Sequence, residues 1–277
     1  MRWIGRQRSG NVEDRRGMSG GGLAVGGGIG GIILVVLALL MGKNPLDYIN
    51  TGEPRAYQEQ SSAADDEKLE FVSVVLQDTE DVWNKLFQEA GSDYQEPQLV
   101  VFSGSDQSGC GLANAATGPF YCPLDSKVYI DLSFYDQLQS RFGAPGDFAM
   151  AYVVAHEVGH HIQNIMGIAG KVREAQQNMS EADANELSVK LELQADFLAG
   201  VWAHHADKMK QILEEGDIQE ALGAANAIGD DRLQMQSQGY VVPDAFTHGT
   251  SEQRMYWFKR GYETGDMNKG DTFSEIK

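Results

Sequence analysis

The feature that most restricts the fold of this chain is a pair of histidines in an otherwise apolar helical stretch. Residues 147–166 have the length and apolar spacing of a buried helix, and they contain His156-Glu157-Val158-Gly159-His160. Residues four apart share a helix face, so His156 and His160 can direct ring nitrogens at one metal ion. Glu157 is rotated by about 100° from His156, beside that ion, where it could take a proton from water. The alternative is two ordinary histidines on a helix.

A metal centre needs a third ligand elsewhere, because a five-residue match of this kind can arise by chance. The metzincin spacing is excluded, since Gln163 takes its glycine position and Met166 its last histidine position. A second predicted helix, residues 181–205, carries Glu192 and Asp196 four apart on one face. We predict that Glu192 is the third ligand and that Asp196 hydrogen-bonds a ligating imidazole. The alternative for Glu192 is a solvated helix face.

The remaining histidines have weaker claims to a chemical role. His161 points away from the metal-binding face of its helix, and His204 and His205 lie near a helix end, where imidazoles often cap carbonyl groups. His248 lies in a glycine-containing loop before a helix with a capping-box start at residues 250–253. It is predicted either to stabilise an oxyanion at a substrate carbonyl or to be an ordinary surface histidine.

An uncharged, glycine-rich stretch near the N-terminus becomes almost entirely apolar over residues 29–41. About 20 apolar residues span a bilayer, so residues 23–42 are predicted to be a transmembrane helix; a cleaved signal peptide and a buried core helix are the alternatives. Five arginines precede the stretch, which places the N-terminus in the cytoplasm under the positive-inside rule. The glycine spacing could also pack two such helices together in a homo-oligomer.

This interpretation divides the chain into four parts. Residues 1–22 form a basic cytoplasmic segment, 23–42 the membrane helix, 43–66 a polar linker and 67–277 one extracytoplasmic domain. The net charge of −18 argues against a nucleic-acid partner, because phosphate binding needs a basic face.

The two cysteines, Cys110 and Cys122, are too few for a cysteine-based metal framework. They are predicted to form a disulfide if the domain faces an oxidising compartment.

The domain pattern predicts an α+β fold that is mostly helical with a small sheet. Residues 98–103 and 127–135 read as strands, joined by the glycine-containing loop 104–123. The other predicted helices are one long or two broken segments over residues 69–87, with the break near Asp78, a segment at 208–228 with a break near Gly216, and a segment at 251–264.

The sequence resembles the bacterial neutral zinc metallopeptidases over nearly its whole length. The matching segments are Arg2-Trp3, residues 11–16, Cys110-Gly111, residues 118–123, the His156 motif, residues 192–196 and residues 248–254. The resemblance implies a zincin-like fold in a bacterial cytoplasmic membrane protein, with Zn²⁺ on His156, His160 and Glu192 and with Glu157 as general base. It also implies a peptide or protein substrate, held in extended form by an edge strand that we assign to residues 127–135.

Two functions of different kinds fit these residues. The first is zinc-dependent peptide hydrolysis, and the second is a non-catalytic, zinc-containing membrane protein that acts by binding partners. Glu157 favours the first, because a structural zinc site has no need of a glutamate there. The P-loop motif of nucleotide-binding proteins is absent from the sequence.

Overall fold

The computed structural model describes residues 1–17 and 62–276, and helices dominate this part of the chain. The helices are α1 (Ala63–Glu89), α2 (Ser133–Ser140), α3 (Asp147–Ile165), α4 (Ile168–Gln176), α5 (Glu181–Lys210), α6 (Asp217–Ala227), α7 (Asp230–Gln238), α8 (Ser251–Thr264) and α9 (Thr272–Glu275). The strands are β1 (Val12–Asp14), β2 (Gln98–Phe102), β3 (Ser105–Ser108), β4 (Gly111–Asn114), β5 (Phe120–Cys122) and β6 (Lys127–Asp131). The predicted α+β class is therefore confirmed for the described residues.

A four-stranded sheet forms one side of the core, in the order β1-β2-β6-β5. β1, β2 and β6 run parallel, whereas β5 is antiparallel to β6. Successive strand residues face opposite sides of a sheet, so alternate positions of β2 and β6 enter two different clusters. The helical side receives Leu99, Val101, Val128 and Ile130, and the other side receives Val100, Phe102 and Tyr129.

The sheet corrects the predicted substrate-binding strand. β6 lies between β2 and β5, so residues 127–135 are not an edge strand; among the described strands, β5 forms that edge of the sheet. β6 also ends at Asp131, whose carboxylate accepts a hydrogen bond from the Ser133 amide at 2.9 Å as α2 begins. The predicted loop 104–123 contains the β3–β4 hairpin as well as β5.

Helix α1 is continuous through Asp78, where the sequence pattern allowed either one long helix or a break. Ser62 caps it in a capping box with Asp65, so residues 63–66 belong to the helix and not to a linker. Asp78 is buried within the helix, and Arg6 and Lys210 neutralise it at 2.6 and 2.8 Å. The chain continues through this charged position because its charge is paired.

Close helix packing positions the two predicted metal-binding elements. A Cβ atom on Gly159 of α3 would lie 3.0 Å from the Ala195 carbonyl oxygen of α5, so glycine permits this approach. On the other side of α5, a Cβ on Gly200 would lie 2.1 Å from the Phe258 carbonyl oxygen of α8. Helix α5 continues to Lys210 and α6 begins at Asp217, so the predicted segment 208–228 is interrupted near Gly216 as predicted, but its first residues belong to α5.

The N-terminal residues belong to the same folded unit as the rest of the described chain. β1 extends the sheet, with Val12 paired to Leu99 and Asp14 to Val101. For residues 1–17, this corrects the predicted division that sets residues 1–22 apart from the domain. The predicted membrane helix at 23–42, its glycine contacts and the linker up to residue 61 lie outside the described residues. Among helices of residues 1–17 and 62–276, none combines the length and apolarity needed to cross a bilayer.

The predicted disulfide is present between Cys110 and Cys122. It ties the turn of the β3–β4 hairpin to the end of β5, where Cys122 is fully buried. The bond therefore fastens the edge strand of the main sheet.

Candidate metal centre

Three predicted ligands converge between α3 and α5. Glu192 Oε2 lies 3.2 Å from His156 Nε2, and Glu192 Oε1 lies 3.3 Å from His160 Nε2. The donor atoms of these three residues all lie within 4.8 Å of one another. The two rings come from successive turns of α3, and the carboxylate reaches them from the facing turn of α5, as the spacing of the sequence predicts.

This donor set fits a zinc ion. Zinc bonds to imidazole nitrogen and carboxylate oxygen are about 2.0–2.2 Å long, so two ligands in tetrahedral positions lie about 3.3 Å apart. The observed separations of 3.2 and 3.3 Å match that requirement. Two imidazoles with one carboxylate are also the ligand set of a catalytic zinc site, which leaves a fourth position open.

A buried hydrogen-bond network orients His156. Its Nδ1 donates to Asp196 Oδ1 at 2.8 Å, which leaves Nε2 to face Glu192. The same carboxylate accepts hydrogen bonds from Arg254 Nε at 2.8 Å and from the Tyr152 hydroxyl. Arg254 also donates to the Tyr152 hydroxyl at 3.1 Å. Asp196 therefore fixes the orientation of the His156 ring, with Nε2 turned toward Glu192.

His160 has an equivalent support within its own helix. Its Nδ1 donates to Gln163 Oε1 at 2.9 Å. The Gln163 amide nitrogen donates in turn to the Leu191 carbonyl at 2.7 Å, which keeps the amide oxygen turned toward the ring. Both imidazoles thus direct Nε2 at the same point.

The electrostatics of the site favour positive charge between the ligands. Burial alone would lower the pKa of His156, but the Asp196 and Glu192 carboxylates raise it to about 10. Burial would raise the pKa of Glu192, but the imidazoles of His160 and His156 hold it well below its usual range. Burial likewise opposes ionisation of Asp196, but Arg254 and His156 lower its pKa to about 2. A divalent cation is a natural occupant of such a position.

Glu157 lies beside this centre without joining it. It lines the same cleft as His156, His160 and Glu192, but it is not among the clustered donor atoms. Within residues 1–17 and 62–276, no side chain or backbone group forms a hydrogen bond with the Glu157 carboxylate, which leaves it available to a water molecule.

His248 reaches the cleft from the loop before α8. Its ring Nδ1 lies 3.3 Å from Asp230 Oδ1, and that hydrogen bond raises the pKa of His248. Asp230 Oδ2 also accepts the backbone amides of Thr247 and His248 at 2.7 and 2.6 Å. The loop is therefore fixed, and half of the His248 side chain remains exposed toward solvent.

The other histidines are structural in this fold. His161 donates from Nε2 to the Gln95 carbonyl at 2.5 Å and accepts from the Tyr121 hydroxyl at 3.1 Å, so it fastens α3 to β5. His204 and His205 donate to the carbonyls of Tyr262 and Gly265, each at 2.8 Å. These two cap the end of α8 from the side of α5.

A second group of carboxylates, Asp147, Asp217 and Glu220, also has clustered oxygens. The α-amino group of Met1 lies beside it, 2.6 Å from Asp147 and 3.3 Å from Asp217. Glu220 accepts the Phe148 amide at 3.0 Å. The group holds the start of α3 in place.

Three residues of the site were not predicted from the sequence: Tyr152, Gln163 and Arg254. Tyr152 lies four residues before His156, and Gln163 lies three residues after His160. Both spacings place a polar side chain on the same helix face as the histidines, and this signal could have identified them. Arg254 lies in the segment that follows His248, but no local pattern links it to Asp196, 58 positions away.

Comparisons with known proteins identify the family of the chain. A family profile described as "Putative neutral zinc metallopeptidase" matches residues 1–273. YpfJ of Escherichia coli (strain K12) is 51% identical over 286 residues, which cover 99% of each chain. Rv2575 of Mycobacterium tuberculosis (strain H37Rv) is 44% identical over 203 residues, or 70% of this chain and 66% of that one. No solved structure matches the chain. The chain belongs to the neutral zinc metallopeptidase family.

Proposed function

We propose that this protein hydrolyses peptide bonds at a zinc ion held by His156, His160 and Glu192, with Glu157 as general base. The observation that carries the proposal is the convergence of three ligand atoms in a cleft that Glu157 also lines. A structural zinc site would be closed and would gain nothing from an unengaged carboxylate at its edge.

The cleft has the size and lining of a binding site for an extended peptide. Its volume is about 510 Å³, and its walls combine apolar side chains with a few polar groups. Its lining includes β5 and the residues before it, among them Phe120 and Tyr121, together with Val172 and Leu191. β5 is an edge strand, so its free main-chain groups can pair with a substrate backbone. This strand takes over the role that we first assigned to residues 127–135.

Several residues of the chain have separate roles in the proposed reaction. A zinc ion bound at this site supplies a Lewis acid that polarises the substrate carbonyl and makes water more acidic. Glu157 accepts the proton of the attacking water and passes it to the leaving amine. His248, held by Asp230, is placed to donate a hydrogen bond to the oxyanion. Asp196 and Gln163 keep the two imidazoles in the required tautomer.

Cleavage of a broad peptide library by the purified full-length chain tests this proposal. The full chain is needed because a version that begins at residue 43 would lack β1. Cleavage should stop when a chelator removes the metal and return when zinc is restored. Glu157→Gln should retain zinc and fold but lose about 10²–10⁴-fold of the hydrolysis rate, the usual contribution of a general base.

The control variant is Glu174→Gln, which neutralises an exposed carboxylate on α4 and should cleave like the wild type. Equal rates for wild type and Glu157→Gln would contradict the mechanism. A zinc-loaded wild type that cleaves no peptide would instead favour the partner-binding function.

A further inference from the structure

The N-terminal residues are bound to the domain along most of their length. Arg6 makes two hydrogen bonds to the Asp78 carboxylate, at 2.8 and 2.6 Å. Ser9 donates to Glu80 at 2.6 Å, and its amide donates to the Ser73 carbonyl at 3.0 Å. The ring of Trp3 packs against Phe71 with centroids 5.4 Å apart. These contacts fasten residues 1–11 to α1.

Beyond this point the chain becomes part of the sheet. β1 pairs with β2 in parallel register, and the amide of Arg15 continues the ladder by donating to the Val101 carbonyl at 2.8 Å. Arg15 also contacts Asp106 in the β3–β4 hairpin at 2.7 Å. A parallel strand is fixed by the strand beside it, so residues 12–15 take this conformation only on the folded domain.

Three of the five arginines of this segment pair with acidic residues of the folded domain. Arg6 neutralises Asp78, which is 1% exposed, and Arg15 and Arg16 pair with acidic residues within 3.0 Å. Detaching the segment would leave a buried carboxylate with Lys210 as its remaining cation. The positive-inside rule treats arginines as free charges beside a membrane helix, and these three are paired.

The two ends of segment 18–61 leave the domain at the same place. The guanidinium of Arg16 bridges Asp14 at 2.8 Å and Asp66 at 3.0 Å, so the last turn before the segment touches the first turn after it. A segment with both ends in one folded unit crosses a membrane an even number of times, or not at all. A single crossing at residues 23–42 would separate β1 from β2.

We propose that residues 1–17 and residues 62–276 occupy the same side of the membrane, and that this is the oxidising, extracytoplasmic side. The first part follows from the pairing of β1 with β2, and the second from the disulfide between Cys110 and Cys122. The basic N-terminal segment is thus a part of the peptidase-family domain and not its cytoplasmic anchor. This inference is independent of catalytic activity.

Sidedness is measured with a membrane-impermeant maleimide on intact bacterial cells that express the full chain. Ile4→Cys and Met235→Cys place single thiols at side chains that are 83% and 52% exposed, while the native cysteines stay oxidised. Both variants should be labelled to the same extent before lysis. Labelling of Met235→Cys alone would overturn the shared side, and labelling of neither until lysis would overturn the extracytoplasmic assignment.

The pairing itself is tested by engineered cysteines in the same full chain. Val12→Cys with Leu99→Cys joins register partners and should form a disulfide within one chain, seen as a faster, reductant-sensitive monomer band. Val12→Cys with Val100→Cys is the matched control, because a shift of one residue points the side chains to opposite faces. A disulfide-linked dimer, or equal cross-linking of the two pairs, would contradict the proposal.

Discussion

Asp196 shows how one buried residue can serve both the metal centre and the fold. It accepts hydrogen bonds from His156, Tyr152 and Arg254, and it is completely buried. Arg254 is 2% exposed and balances its charge. Removing the charge of Asp196 or of Arg254 alone therefore leaves an uncompensated ion in the core. Replacing both with neutral side chains leaves no buried ion of this pair.

A double-mutant cycle separates these two roles. Arg254→Gln should reduce the free energy of unfolding by about 3–5 kcal/mol, because the Asp196 carboxylate then lacks its cation. Adding Asp196→Asn should recover part of that loss, measured by urea denaturation. Zinc affinity of the double variant should nevertheless stay roughly 10–100-fold below wild type, because His156 has lost its carboxylate partner. Wild-type affinity in the double variant would show that Asp196 only stabilises the fold.

Residue spacing was sufficient to predict that His156, His160 and Glu192 come together, but not which residues support them. The four-residue intervals in the His156 motif and in Glu192–Asp196 each define one helix face, so both can be read from one segment at a time. Arg254 acts across 58 positions of sequence, and only the packing of α5 against α8 brings it to Asp196. A long-range contact of this kind leaves no periodic trace in the sequence.

The metal centre depends on how closely α3 and α5 approach each other. Gly159 faces Ala195 at the point where the two helices touch, between His156 and His160 in sequence. The ligands from the two helices are 3.2–3.3 Å apart, so a small increase in helix separation would move Glu192 out of reach of a shared ion.

Gly159→Leu is therefore predicted to weaken zinc binding by at least about tenfold, since its side chain would collide with the α5 backbone. Competition with a chromophoric chelator measures the affinity. Gly170→Ala is the matched control, because a Cβ there meets no atom within 4 Å; it should bind zinc normally and gain up to about 1 kcal/mol of stability. Normal zinc affinity in Gly159→Leu would show that this contact does not set the ligand geometry.

Local signals predicted the long helices and missed the sheet order. Thr250 and Gln253 form the capping box expected for α8, and apolar spacing gave the bounds of α3 to within a residue. The alternation through residues 127–135 continued past Asp131, so the start of α2 at Ser133 was missed. The two outer strands of the described sheet are β5 and β1. Neither was predicted, because β5 has only three residues and no pattern of its own, and β1 comes from the distant N-terminus.

The whole molecule carries a net charge of −18, and this charge acts on any substrate that approaches the cleft. We predict that cationic peptides have a higher kcat/KM than anionic peptides of the same apolar sequence at low salt. The difference should shrink as ionic strength rises, because the Debye length falls to about 8 Å at 0.15 M. Steady-state kinetics across a salt series measures it. Preference for anionic peptides at low salt would contradict the steering argument.

The central claim is that two imidazoles and one carboxylate hold zinc in this fold, and X-ray absorption spectroscopy at the zinc edge tests it most directly. The zinc-loaded full-length chain should show one zinc per chain, a nitrogen and oxygen shell at about 2.0–2.1 Å and the outer scattering of two imidazole rings. Glu192→Gln should lower zinc occupancy under the same conditions. A sulfur shell at about 2.3 Å, scattering from three imidazoles, or an unchanged spectrum and occupancy in Glu192→Gln would contradict the account.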